Sequence, residues 1–310
     1  MAAILAGVLL LPAGPAEADY PEQTIHLVVP WRAGGGTDSI ARALAAAMEE
    51  VSGQSVVVEN VSGGARVPGT MSVVEAKPDG YRMLLNGSSD ISSSMVFRDV
   101  PFKLDDFVCI GGVYQTPVWI LSHRDQGFKS FDDLVAAAKE EPGKLTIGVT
   151  ALKTPDETLA KLLSEKHGID VRIIPFDGGA ALKKALLGNQ VSAGVLYVPV
   201  MLPEIESGAV DLLVAGGSLQ NVNYPPIRNT KTPADYGVDI VIGSFRGVLM
   251  PKGVPESVRK AAVELVQKAV ESESYKAFGE KFGVAPEWLP GQRYCDFIAE
   301  EMRVFESVNN

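Results

Sequence analysis

Short apolar runs alternate with longer amphipathic stretches along nearly the whole chain. "TIHLVVPW", Thr24 to Trp31, is β-branched and apolar, and predicts a buried strand ending at a run of glycines. Thr37 or Asp38 is then the natural N-cap of a helix. "SIARALAAAMEEVSG" sets Ile40, Leu44 and Met48 on one face of it, with Gly53 as the stop. Ser55 to Asn60 predicts the next strand, a glycine-rich loop leads to a short helix around Thr70 to Glu75, and Tyr81 to Ser89 predicts a third strand. This β-α-β-α-β order with short loops implies a parallel sheet with helices on its faces.

A long strand-like stretch, Phe107 to Asp125, precedes a second series that begins with a helix capped by Ser130. Strands "LTIGVT", "DVRIIPF", "SAGVLYVP" and "VDLLVAGG" then alternate with amphipathic segments. After a loop, "VNYPPIRNTKTPADYG", comes another apolar strand, "DIVIGSFRGVLMP", and the remainder is helical: "PESVRKAAVELVQKAVES" and "QRYCDFIAEEMRVFES". Two α/β lobes are expected, with Gly111–Ser122 and Ile242–Met250 as crossovers and the last helices returning to the first lobe. A single doubly wound sheet fits the same alternation.

With 310 residues the chain is long enough for two domains, and 46% hydrophobic with 21% charged residues fits a packed globular protein. A net charge of -10 argues against nucleic acid or an anionic membrane as partner. It leaves a small anion possible, because N–H groups at a helix N-terminus bind one without Lys or Arg. "MAAILAGVLLLPAGPAEA" reads as a signal peptide, although no Lys or Arg precedes its apolar stretch. Cleavage after Ala18 would start the chain at Asp19 in the periplasm. Cys109 and Cys295 lie far apart with no framework spacing, so buried free thiols are expected in preference to a pair. His26, His123 and His167 are scattered, and neither a metal nor a cofactor is expected.

Three strand-to-helix junctions are candidates for chemistry. The first is Ala33-Gly34-Gly35-Gly36-Thr37-Asp38, flanked by Trp31 and Arg32; the second is "TALKTPD", Thr150 to Asp156, with Pro155 in the first turn and Thr154 as cap; the third is Asp177-Gly178-Gly179. Any one of them alone can be a plain tight turn. Three together, at strand C-termini where ligands of open α/β sheets sit, point to a cleft. The glycines spell neither GxxxxGK[ST] nor GxGxxG, and GxSxG is absent, so nucleotide and serine-hydrolase readings fare badly.

"YPEQTIHLVVPWRAGGGTD", "GQSVVVEN", "AKPDGYRMLL", "PFDGGAAL", "LLGNQVSAGV" and "RGVLMPKGVPESV" follow one another in an order that resembles one family from about Tyr20 onwards. It is the extracytoplasmic solute-binding proteins of tripartite tricarboxylate transporters, the Bug family. The resemblance implies a non-enzymatic, monomeric periplasmic binding protein of Venus-flytrap form. Lobe I would hold residues 19–118 and 243–310, and lobe II residues 119–242, after a signal peptide over 1–18. The implied ligand is a small organic carboxylate, with a di- or tricarboxylate favoured, and the implied partners are membrane transporter subunits.

Carried onto this sequence, the ligand-binding positions are Trp31, Arg32, Ala33, Gly34, Gly35, Gly36, Thr37 and Asp38, then Thr150, Ala151, Lys153 and Thr154. Asp177, Gly178 and Gly179 lie nearby, and Ser88 and Ser89 match a further pocket-lining segment. The chain departs from many relatives at Trp31-Arg32-Ala33 and in its Gly- and Ser-poor second loop, where Lys153 adds a positive charge suited to a dicarboxylate. Alternatives are a sensory receptor that presents its closed form to a signalling kinase, and a secreted α/β enzyme acting on carboxylates.

Overall fold

The computed structural model describes residues 20–216, 229–238, 243–281 and 283–309. The signal peptide expected over 1–18, most of the loop before Thr230, and Ile242 lie outside the described residues. The first β-α-β-α-β series forms as expected: β1 (Ile25–Val29), α1 (Gly36–Ser52), β2 (Val56–Asn60), α2 (Val67–Val74) and β3 (Arg82–Gly87). Strand β1 lies between β2 and β3, parallel to both. Helix α1 is alanine-rich, buries Ile40, Leu44 and Met48, and ends at Gly53.

Three boundaries differ from expectation, one being the third strand, which ends at Gly87 because Ser88 and Ser89 open a helix. The N-cap of α1 is Gly35, so Thr37 and Asp38 fall inside the first turn, where the Asp38 carboxylate reaches back to the loop. Helix α2 starts at Val67 rather than Thr70, because Arg66 in a left-handed conformation and the early Pro68 set its first turn.

A further helix, α3 (Ser88–Phe97), was not expected, since its serine-rich sequence lacks a helical apolar period. It packs against α10 (Gly291–Asn309), with the Ser92 hydroxyl donating to Glu301 at 3.2 Å. Strand β4 (Phe107–His123) is the long apolar element, followed by α4 (Phe131–Glu140), β5 (Thr146–Val149), α5 (Pro155–His167), β6 (Arg172–Pro175) and α6 (Gly179–Leu187). Then come β7 (Ala193–Tyr197), α7 (Val198–Glu206), β8 (Val210–Ala215), β9 (Gly243–Pro251), α8 (Glu256–Glu271), α9 (Glu273–Lys281) and β10 (Leu289–Pro290). Ser130 caps α4 through a reciprocal pair of bonds with Asp133.

The strand order β2-β1-β3-β9-β4-β7-β5-β6 makes one connected path, but its two parts meet only in β4. From Phe107 to Pro117 that strand runs antiparallel to β9, which in turn pairs with β3. From Val118 onward its partners are β7 and β8. Seventeen residues, almost all buried, let one strand serve both halves. One apolar cluster packs α1 and α8 over β1 and β3 and continues past Tyr114 and Trp119 to Leu182 and Leu196. A second fills the other half around Val118, Phe131, Leu163 and Val195.

The expectation of free thiols is overturned: Cys109 and Cys295 form a disulfide, with Cα atoms 5.9 Å apart across 186 residues of sequence. The reason is tertiary. Helix α10 begins hard against β4, where a Cβ on Gly291 would collide with the Cys109 carbonyl, and one turn later Cys295 faces Cys109.

Candidate functional site

The first loop is held from three sides. Asp38 is buried and its Oδ2 accepts from the Gly34 N–H at 2.8 Å and from Arg42 Nε at 3.0 Å. Asn60, at the end of β2, donates from Nδ2 to both Asp38 Oδ1 (2.9 Å) and the Trp31 carbonyl (3.1 Å). Asn86 Oδ1, on β3, accepts from Trp31 Nε1 at 3.1 Å. Burial works against the Asp38 charge, but the bonds from Arg42, Gly34 and Asn60 outweigh it and hold the carboxyl below its ordinary range. Gly34 has φ +83°, which a side chain would strain. A Cβ at Gly34 or Gly36 would meet nothing within 4 Å, so the backbone there borders open space.

That space is a cavity of about 530 Å³. Residues 30–37 form one wall, and Ser62, Gly63, Ala65 and Arg66 form the other. The N-terminus of α1 opens onto it, with unpaired N–H groups and the positive end of the helix dipole. No Asp or Glu lines the cavity, whereas Arg32 and Arg66 do, and neither is ion-paired among the described residues. The Arg66 guanidinium stacks 4.7 Å from the centre of the Trp31 ring.

The second loop belongs to the other half. Asp156 in α5 accepts from the Thr150 N–H and, at 2.8 Å, from its hydroxyl. Complete burial pushes this carboxyl upward in spite of the two Thr150 hydrogen bonds, and its Oδ1 has no partner among the described residues. Thr154 is the N-cap residue, but its hydroxyl donates to the Ala151 carbonyl at 2.8 Å instead of accepting from the helix. Lys153 has φ +59° and donates its N–H to the Glu157 carboxylate. Its ammonium sits 5.6 Å from the Phe97 ring centre, on α3 of the first half. The third loop is tied to the second by the Gly178 N–H, which donates to the Thr150 carbonyl at 3.0 Å. Gly178 caps α6.

The structure therefore brings Trp31, Arg32, Ala33, Gly34, Gly35, Gly36 and Thr37 around one cavity, with Asp38 behind them as a strap. Thr150, Ala151, Lys153, Thr154, Asp177, Gly178 and Gly179 gather separately and do not line it, nor do Ser88 and Ser89. Those two serines are buried at the start of α3, and Ser88 Oγ accepts from the Phe245 N–H at 3.2 Å.

Sequence reasoning missed the Ser62–Arg66 wall and Arg246. Arg246 Nε donates to Thr37 Oγ1 at 3.0 Å, and Nη1 donates to Ser244 Oγ. It has no ion-pair partner among the described residues. Burial raises the Tyr197 phenol, the Asp156 carboxylate raises it further, and the Arg246 charge opposes them. An arginine inside the apolar run "GSFRGVLMP" was the available signal.

Residues 40–308 match the tripartite tricarboxylate transporter family receptor, TctC. BugT of Bordetella pertussis is 29% identical over 312 aligned positions, covering 97% of this chain and 94% of that protein. A ligand-free TctC solute-binding protein from Polaromonas superposes with a TM-score of 0.83 at 24% identity, over 94% of this chain and 99% of the other. An R. palustris protein solved with adipate gives 0.76 at 25% identity, over 94% and 97%. The fold is that of the α/β periplasmic binding proteins, in a family of binding proteins rather than enzymes. The chain belongs to the TctC family of tripartite tricarboxylate transporter receptors.

Proposed function

We propose that this protein captures a small organic carboxylate, a di- or tricarboxylate by preference, and delivers it to the membrane subunits of a tripartite tricarboxylate transporter. It works as a monomer in the periplasm, after removal of a signal peptide near Ala18. One observation carries the reading: the helix N-terminus behind Gly34–Thr37 opens onto a cavity that, among the described residues, is lined by two arginines without ion pairs and by no acid. Such a wall suits an anion even in a chain of net charge -10. The adipate held by the R. palustris relative supports the same ligand class.

Lobe I comprises residues 19–118 and 243–310, and lobe II residues 119–242. Bending of β4 and β9 where they cross would carry Thr150–Thr154 and Asp177–Gly179 towards the first loop, with Ser88 and Ser89 supporting the floor. Closure excludes water and strengthens the N–H-to-carboxylate bonds, and the ligand shifts an open-closed equilibrium.

The test is a thermal-shift screen of the mature chain against mono-, di-, tri- and aromatic carboxylates, with phosphates and nucleotides as controls. A ligand bound only by the folded state raises the melting temperature. A shift confined to carboxylates, with the ligand recovered unaltered, is expected. A shift with phosphate or nucleotide and none with any carboxylate would overturn the reading.

A further inference from the structure

Among the described residues only Ala65, Arg66, Lys153 and Asn189 combine a side chain with a positive φ, a backbone conformation disfavoured for L residues. Ala65 and Arg66 are consecutive and both line the cavity beside the first loop. Their φ values of 53° and 74° close a tight turn, in which the Arg66 N–H donates to the Gly63 carbonyl at 2.8 Å. The turn throws the Arg66 side chain across Trp31, whose indole is pinned by Asn86. Arg66 Nε is shut off from solvent without a hydrogen-bond partner, and no carboxylate pairs with the guanidinium among the described residues. A cation held this way is pre-organised: its position is set before any ligand arrives, and no internal acid has to be displaced. Strain kept at a cavity wall is a pointer to function, because a glycine would meet the backbone demand more cheaply.

We propose that Arg66, clamped on Trp31, is the residue that selects a second acid group on the ligand. One carboxylate sits at the N–H groups of the first loop, and the far carboxylate meets the outer nitrogens of Arg66. The site then takes an acyclic dicarboxylate and rejects the monocarboxylate of equal chain length. Arg32, at the same cavity, adds positive charge but is exposed and unstacked, so its position is not fixed in advance. The proposal rests on the carboxylate-receptor reading above.

The test is calorimetric titration of the mature protein with adipate and hexanoate, which share a six-carbon chain and differ by one acid group. The wild type is expected to bind adipate about ten- to a hundredfold tighter than hexanoate, the range of one charge-assisted contact. Arg66→Gly, which suits the positive φ, should bring adipate down to the hexanoate level and leave hexanoate unchanged. Arg66→Lys should recover part of the difference. A merely structural role would weaken both ligands alike. An unchanged ratio in Arg66→Gly overturns the proposal while the receptor reading stands. So does wild-type binding of hexanoate as tight as that of adipate. If the wild type binds neither, this proposal is overturned as well, and the wider carboxylate panel decides separately on the receptor.

Discussion

Asp38 and Asp156 both lie in the first turn of a helix, and both turn back to accept a hydrogen bond from the loop before it. Their surroundings differ. Asp38 is met by Arg42 and Asn60 as well as by Gly34, and its carboxyl is held below the ordinary range. Asp156 is wholly buried, among the described residues pairs with no cation and leaves Oδ1 without a partner, and is pushed above that range. One backbone need, a strapped loop, is met by a charge-stabilised carboxylate in one half and by a poorly solvated one in the other. Each strap also uses up donors of its loop. Gly34 in the first loop gives its N–H to the strap, as Thr150 in the second gives both N–H and hydroxyl. In the first loop the N–H groups beyond Gly34 stay available to an anion.

The largest effect is expected on removing the first strap. Asp38→Ala takes an acceptor from Gly34, Arg42 and Asn60 together. Arg42 is half exposed and finds water, so the loss comes mainly from the other two. About 2–3 kcal/mol of stability should go, with at least a tenfold loss of carboxylate affinity. Calorimetry and thermal unfolding read the two, and unchanged affinity would remove the strap from the site. In the wild type the Asp38 contribution is present at neutral pH and fades as pH falls through its lowered folded-state value.

A smaller effect of opposite sign is expected at the second strap. With its carboxyl raised in the fold, Asp156 favours the folded state while protonated, and that advantage is lost as pH rises through the folded-state value. Asp156→Asn keeps an acceptor for Thr150 without the buried charge. The variant should match the wild type near pH 3, below the ordinary carboxyl value of 3.8, and exceed it by about 1 kcal/mol at pH 8. Denaturant unfolding at the two values checks this. A variant weaker at both would mean that Asp156 is stabilised by something other than its loop.

How much of this was readable beforehand follows the range of each interaction. The alternation from β1 to β8, the stop at Gly53, the Ser130 cap and Pro155 at the start of α5 are local, and their residue types announce them. Strand β4 was legible as a long apolar run, but its double service depends on which strands come to lie beside it. Helix α3 owes its existence to α10, which sequence places about two hundred residues away. The Cys109–Cys295 bridge depends on the same docking, so no spacing could reveal it. At the site the glycine loop was plain from sequence, whereas Arg66 and Arg246 acquire meaning only through Trp31 and Thr37, which fold beside them.

The smallest effect concerns Lys153, where the second loop touches the first half. Its ammonium lies over Phe97, and its backbone carries a positive φ. Two substitutions separate these features. Lys153→Ala loses the cation–ring contact, worth about 0.5–1 kcal/mol at an exposed site, and keeps the strained backbone. Lys153→Gly loses the same contact but accepts φ +59° freely, gaining roughly 1 kcal/mol in return. If the contact holds the halves together, both variants should release a bound carboxylate a few times faster in stopped-flow, and Ala should also melt below Gly. Equal release rates in wild type and both variants would leave Lys153 as a loop residue whose stacking on Phe97 contributes nothing to closure. A faster rate in Ala alone would place the cost in the backbone, and the second loop would then differ from the first by strain rather than by charge.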